Sequence, residues 1–206
     1  MARVKGPLFS VDASGTVAST VVFSRWRGRN YVRRHAIPEN PQSAAQTAAR
    51  TVIAFLAPLW NGLAPQDKAT WDDLAEATNI SSFNAAIAYN ARNWRDLMAP
   101  TKTHPAARSI TPGTVGVLTK VVSGRQVQVT VPVTQGADDW GIALLRRGTT
   151  GVSELSNAVM AAEVGDTQNV FVDGPLDPGT YYYNARIWST DGKLGAIGTE
   201  VSATVT

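Results

Sequence analysis

The sequence predicts an α+β chain of several parts: an N-terminal β-hairpin arm with a small helical bundle, then an all-β sandwich. Three observations carry this expectation. Residues 17–24 are mostly β-branched and apolar and run without a breaker into an arginine-rich stretch centred on Gly28. From residue 42 to residue 97 apolar side chains recur at spacings of three and four, the period of amphipathic helices. Past the prolines at 100 and 105 the period changes to two.

The arm spans residues 1–40. Arg25, Arg27, Arg29, Arg33 and Arg34 fall within ten positions, with Trp26 and Tyr31 among them. Gly28 supplies the turn, so the segment reads as a hairpin with an arginine-studded tip. Arginine beside aromatic residues suits a flat, charged or wet partner surface, because guanidinium stacks and forks while its stem stays apolar. These seven residues are the candidate protein-docking set. A two-stranded hairpin is marginal in water, so the arm must lie on the following helices or pair with another chain.

Charge sharpens this reading. Residues 1–110 hold 13 Lys/Arg against 7 Asp/Glu, a net of +6, and the remainder holds 6 against 9, a net of −3. Within residues 1–36 the balance is 7 to 1. A positive field confined to one arm points to an acidic partner, either a negatively charged protein surface or a nucleic-acid backbone.

Residues 41–99 read as the helical bundle. In 42–63 the stripe is Ala45, Ala49, Val52, Leu56, Leu59 with Trp60, and Leu63, and Pro58 inside it should kink or divide the helix. Gln66-Asp67 opens a second helix with Trp71, Leu74 and Ala75 on one face. Ser81 or Ser82 can cap a third, striped by Phe83, Ile87, Asn90, Trp94 and Leu97. Trp60, Trp71 and Trp94 are expected to fill the bundle core. Asn90 sits on that stripe and needs a polar partner.

Residues 100–109 have the composition of a linker, with two prolines and no apolar run. The expected sandwich occupies 110–206. Gln126–Val133 alternates strictly, and Thr114–Val121, Trp140–Leu145, Asn169–Val172, Tyr181–Trp188 and Glu200–Val205 are further strand candidates, with a weaker one at Leu155–Ala161. Seven short strands with Gly/Asp turns between them are the pattern of a β-sandwich.

Two resemblances follow from particular residues. Leu176-Asp-Pro-Gly-Thr-Tyr-Tyr-Tyr183, then Ala185, Ile187, Ser189 and Asp191-Gly192-Lys-Leu-Gly195, resembles the corner and last two strands of fibronectin type III and related immunoglobulin-like domains. That family places its corner tyrosine at Tyr182 here, whereas the alternation turns Tyr181, Tyr183, Ala185 and Ile187 inward, so the corner position stays open. The second match is Gly15-x-Val17, Ser24-x-Trp26-x-Gly28-Arg29-x-Tyr31-Val32-Arg33, Asn40-Pro41-Gln42-Ser43, Gln46, Arg50, Phe55, Trp60 and Trp71. It looks like a pattern in structural proteins of tailed phages and prophages, whose virion proteins commonly carry appended immunoglobulin-like domains. The resemblance implies a virion component, made in the bacterial host cytoplasm. Its arm would dock onto other virion proteins of the capsid, neck or tail, in multiple copies, and its sandwich would be displayed.

The residues exclude much chemistry. The chain has no cysteine and two histidines, His35 and His104, neither with a neighbour at metal-ligand spacing, so no metal or cofactor is expected. No nucleophile elbow, P-loop or dinucleotide fingerprint occurs. Asp72-Asp73 and Asp138-Asp139 are adjacent carboxylates that nothing places in a pocket. No apolar run approaches a membrane span, and the charged N-terminus lacks the apolar core of a secretory signal. The expectation is a non-enzymatic protein without a membrane partner. Two alternatives stay open: weak, non-specific nucleic-acid binding by the arm, and carbohydrate adhesion by Trp140, Trp188 and the tyrosine run of the sandwich.

Overall fold

Strand pairing in the computed structural model begins in the arm. Residues 2–3, 15–17, 20–26, 29–36, 43–165 and 168–206 are described, and they fall into two compact units, Met1–Pro41 and Gln42–Thr206. In the first unit, β1 (Ala2–Arg3), β2 (Gly15–Val17), β3 (Val21–Trp26) and β4 (Arg29–Arg34) form an antiparallel sheet in the order β1-β4-β3-β2. The expected hairpin is present as β3–β4, paired from Val21 with Arg34 to Trp26 with Arg29. It is completed by flanking strands of its own chain, which supply ladder partners that two strands alone lack. The turn residues Arg27 and Gly28 lie outside the described residues.

The second unit opens with four helices: α1 (Ala44–Gly62), α2 (Pro65–Ala69), α3 (Asp72–Thr78) and α4 (Ser82–Arg95). The hydroxyls of Ser43 and Ser81 cap α1 and α4 by accepting from the backbone N–H of Gln46 and Asn84. Pro58 does not divide α1, which runs through it for 19 residues. The expected second helix is two short ones.

Among the described residues nine strands follow: β5 (Thr114–Val115), β6 (Thr119–Ser123), β7 (Gln126–Thr134), β8 (Asp139–Arg147), β9 (Ala158–Glu163), β10 (Gln168–Asp173), β11 (Gly179–Ser189), β12 (Leu194–Ile197) and β13 (Val201–Val205). All pair antiparallel. One sheet runs β10-β7-β5, with β6 also on β7; the other runs β9-β8-β11-β12, with β13 also on β11. Between them lie Val127, Val129, Val131 and Val133 of β7, Phe171 of β10, Ile142 and Leu144 of β8, and Tyr183, Ala185 and Ile187 of β11, all buried. Strict alternation in β7 is what a strand covered on one face needs.

The second core differs from the expected one. A helical bundle with its own core, joined by a linker to a separate sandwich, is corrected by a shared core between helices and sheet. Ala48, Val52, Phe55 and Leu56 of α1 and Trp94 of α4 pack onto Trp140, Ala143, Leu145, Leu155, Ala158 and Trp188. The Phe55 ring lies 5.1 Å from that of Trp140 and 5.3 Å from that of Trp188. Trp94 meets Trp188 at 5.7 Å. Trp140 reaches this side because the β8–β11 register slips between Gly141–Trp188 and Asp139–Ser189 and leaves it unpaired, a bulge that re-aims one side chain. Of the three tryptophans expected in a bundle core, Trp71 and Trp94 are buried, but Trp60 is only half-buried, against Phe83. Leu97 is exposed.

The segment expected to be a linker is built into this unit. The Asn90 amide donates to the carbonyl of Thr101 at 3.0 Å and accepts from its N–H at 2.9 Å, which gives that buried amide its partner. Trp71 Nε1 donates to the Lys102 carbonyl at 2.9 Å. At the segment's far end, Asp191 Oδ2 accepts from the N–H of Ser109 at 2.5 Å and of Ile110 at 2.9 Å, while Oδ1 accepts from the Ser189 hydroxyl at 2.6 Å. Two prolines mark a rigid, hydrogen-bonded strap here.

Asp191 also gives the fold a pH signature. Burial opposes its charge, but the Ser189 hydroxyl and the Ile110 and Ser109 N–H groups outweigh that and hold its pKa at about 2. A carboxyl depressed in the folded state stabilises above its unfolded pKa and loses that contribution as pH falls toward 2. We expect roughly 2 kcal/mol of stability to disappear between about pH 5 and pH 2 through this residue. In urea titrations the gap between wild type and Asp191→Asn should be largest near neutrality and close on acidification. Equal gaps at pH 6 and pH 2.5 would remove Asp191 as the cause.

The tyrosine left open by the sequence is decided by a hydrogen bond. Tyr181 Oη donates to the Asp177 carbonyl at 2.9 Å, back across the turn that precedes β11. Tyr182 packs instead toward the helix-side core. Tyr183 Oη donates to Asp173 at 2.9 Å, and burial beside that carboxylate pushes its pKa far up. Arg146 in turn binds both oxygens of Asp173 at 2.8 Å.

Candidate docking surface

The β3–β4 hairpin turns alternate residues to opposite faces, and cross-strand pairs share a face. Pairing of Phe23 with Val32 and of Val21 with Arg34 places these four together, with Arg25 and Asn30 as the next pair along. Pairing of Ser24 with Tyr31 and of Val22 with Arg33 builds the other face, and Arg29 joins it by alternation along β4. One face is thus apolar at its centre. The other carries Arg29, Tyr31 and Arg33 in a row along one strand.

This placement divides the seven candidate residues. Arg29 and Arg33 are exposed, with Tyr31 half-buried between them. Arg25 and Arg34, also exposed, belong to the opposite face. Trp26 pairs with Arg29 in the backbone register, and Arg27 lies outside the described residues. Among the described residues of this unit there is no Asp or Glu. A row of two arginines flanking a tyrosine on a sheet presents planar donors about 13 Å apart, set by two two-residue strand repeats, with an aromatic ring midway between them.

Other candidates take structural roles. Asp139 accepts from the N–H of Gly113 at 2.9 Å and of Gly136 at 2.6 Å, and Asp72 accepts from the Ser82 hydroxyl at 2.5 Å, so each adjacent carboxylate pair has one member holding a turn or helix end. His104 packs between Trp71 and Tyr89, and the His35 N–H donates to the Thr20 carbonyl at 2.7 Å. Among the described residues no three His, Asp or Glu side chains gather closely enough to hold a metal ion. Among the described residues no helix is long and apolar enough to cross a membrane. Trp140 and Trp188, the aromatics considered for stacking on sugars, are 4% and 0% exposed beneath the helices and offer no platform.

No family model matches the chain, and no curated protein matches it in sequence. Among solved structures, it is similar to the PKD domain of an M14-like peptidase from a Thermoplasmatales archaeon, with 16% identity and a TM-score of 0.30 over 47% of this chain and 98% of that one. It is also similar to catalytically inactive OgpA from Akkermansia muciniphila in complex with an O-glycopeptide, with 10% identity and a TM-score of 0.37 over 61% of this chain and 36% of that one. Likenesses of this order carry no argument about function.

Proposed function

We propose that this chain is a non-enzymatic attachment protein whose basic β-sheet arm docks on an acidic protein surface, while the second unit presents a helix-braced, immunoglobulin-like sandwich. The observation that carries the proposal is the Arg29–Tyr31–Arg33 row on one face of β4. Arginine and tyrosine dominate interface hot spots, because their planar groups bind with little loss of side-chain freedom. The immunoglobulin-like reading rests on the strand order, β10-β7-β5/β6 against β9-β8-β11-β12/β13, and on the Tyr181–Asp177 hydrogen bond at the turn before β11. The resemblance of the arm and first helix to tailed-phage structural proteins favours a virion partner, a capsid, neck or tail protein.

The test is face-specific. Arg29→Glu with Arg33→Glu should abolish co-sedimentation of the full-length chain with phage particles, and Arg34→Glu on the opposite face should reduce it severalfold at most. Equal incorporation of all three proteins would sink the docking role of this row. The same preparations separate a nucleic-acid partner. We expect only weak DNA binding, lost near physiological salt, since each phosphate neutralised adds roughly 0.7–0.9 to the salt slope. Sub-micromolar DNA binding at that ionic strength would make nucleic acid the better account.

A further inference from the structure

The apolar stripe of α1 is wider than the surface that covers it. The sandwich buries Ala48, Thr51, Val52, Phe55 and Leu56, yet Ala45 and Ala49, on the stripe the sequence predicts, are exposed. On α4, Ala88 is likewise exposed and Ala91 half-buried. These four alanines wall a groove of about 510 Å³ between the two helices, with Ala48 and Trp94 also in its lining and Arg92 and Arg95 at its rim.

Three features bear on what fits there. Alanine on both walls lets a third helix approach to the short end of the usual interaxial range, about 8 Å. Among the described residues, the charged side chains lining the groove are both arginines, and no carboxylate lines it. Arg95 makes a long, exposed ion pair with Asp96 at 3.9 Å. Trp94 is 2% exposed, and its indole N–H has no acceptor among the described residues. That N–H is itself buried, so what the groove offers a partner is its two cations.

We infer that the α1–α4 groove is a second interaction surface, which takes an amphipathic helix of a partner protein with small apolar residues on its inner face and carboxylates facing Arg92 and Arg95. The charge pattern selects an acidic helix over a basic one, and the alanine walls select a helix over an extended strand. The inference does not depend on the arm, because every residue it uses belongs to the second unit. Arg92 and Arg95 also suit the C-terminal end of the α4 dipole. That role alone would leave binding of a helix indifferent to their sign.

The test uses the full-length chain and a fluorescent synthetic helix of about 18 residues, five turns, with an Ala/Leu stripe flanked by Glu. A second peptide carries Lys in place of Glu. We expect the Glu peptide to bind with Kd of about 10–100 μM and the Lys peptide at least tenfold more weakly. Ala49→Glu and Ala88→Glu, at exposed positions where folding is unaffected by thermal melts, should each weaken the Glu peptide at least tenfold. Arg92→Glu with Arg95→Glu should reverse the preference to the Lys peptide. Amide exchange should slow at 45–49 and 88–95 on binding. Failure of the Glu peptide to bind below 1 mM (about −4 kcal/mol), equal binding of both peptides, or indifference to Ala49→Glu would each overturn the inference. None of these results would touch the arm, whose test reads particle incorporation.

Discussion

Residues 110–206 expressed alone should fail to give a soluble domain with a cooperative unfolding transition. Cutting away 42–109 strips the helices from the outer face of the β9-β8-β11 sheet and exposes Trp140, Ala143, Leu145, Leu155, Ala158 and Trp188, all at most 4% exposed in the intact chain. The four larger side chains lose about 1.5–3 kcal/mol each on exposure, a sum comparable with the total stability of a domain. The strap is lost at the same time, leaving Asp191 without the Ser109 N–H and hydroxyl donors. Residues 43–206 should instead melt in one transition. Circular dichroism melts and dye binding by exposed apolar surface decide between them. A sharp, reversible transition in 110–206 would restore an independent sandwich and show that the helices contribute little to it.

Gly141→Ala should destabilise the second unit strongly. A Cβ at Gly141 would run into the Trp188 ring and lie 2.8 Å from Phe55 Cζ. Both rings are buried and held by their neighbours, at 0% and 3% exposure, so neither can swing aside. Overpacking of this kind costs about 3 kcal/mol, which for a unit of this size lowers Tm by roughly 6–12 °C. Phe55→Leu in the Gly141→Ala background should recover part of the loss, because it withdraws one of the two obstructing rings. Additive losses in the double variant would show that the clash is with Trp188 alone.

Several elements were legible because their signals are local. Strict alternation in Gln126–Val133 specifies a strand with one dry face, and β7 is that strand. Ser81 before an apolar stripe specifies a helix start, and its hydroxyl caps α4. The two strands of the hairpin were readable from β-branched residues on either side of Gly28, and β3 and β4 bear them out, while Gly28 itself lies outside the described residues. The candidate docking row was only partly readable. Seven residues could be named from composition, but their division between two faces needs the register that pairs Ser24 with Tyr31.

The separate helical domain was an overreach of periodicity. Apolar spacing says that α1 and α4 have a face to bury, without naming what buries it. One clue was present: Trp140–Leu145 is apolar at every position except Gly141, the mark of a strand covered on both sides. A sandwich strand needs such a run only when something lies on its outer face. Pro100–Pro105 misled for a related reason, since proline breaks regular structure without implying freedom.

By itself, then, the sequence determined most of the helices and strands, their order, the basic arm and the lack of cysteine, because each is written in neighbouring residues. Tertiary structure decided which sheet face the helices cover, that the strap at 100–110 is held by Asn90 and Asp191, and that Tyr181 donates across the turn before β11. It also left Ala45, Ala49 and Ala88 uncovered. These outcomes depend on residues tens of positions apart competing to bury apolar area and pair polar groups. That competition is settled by packing, and no local period records its result.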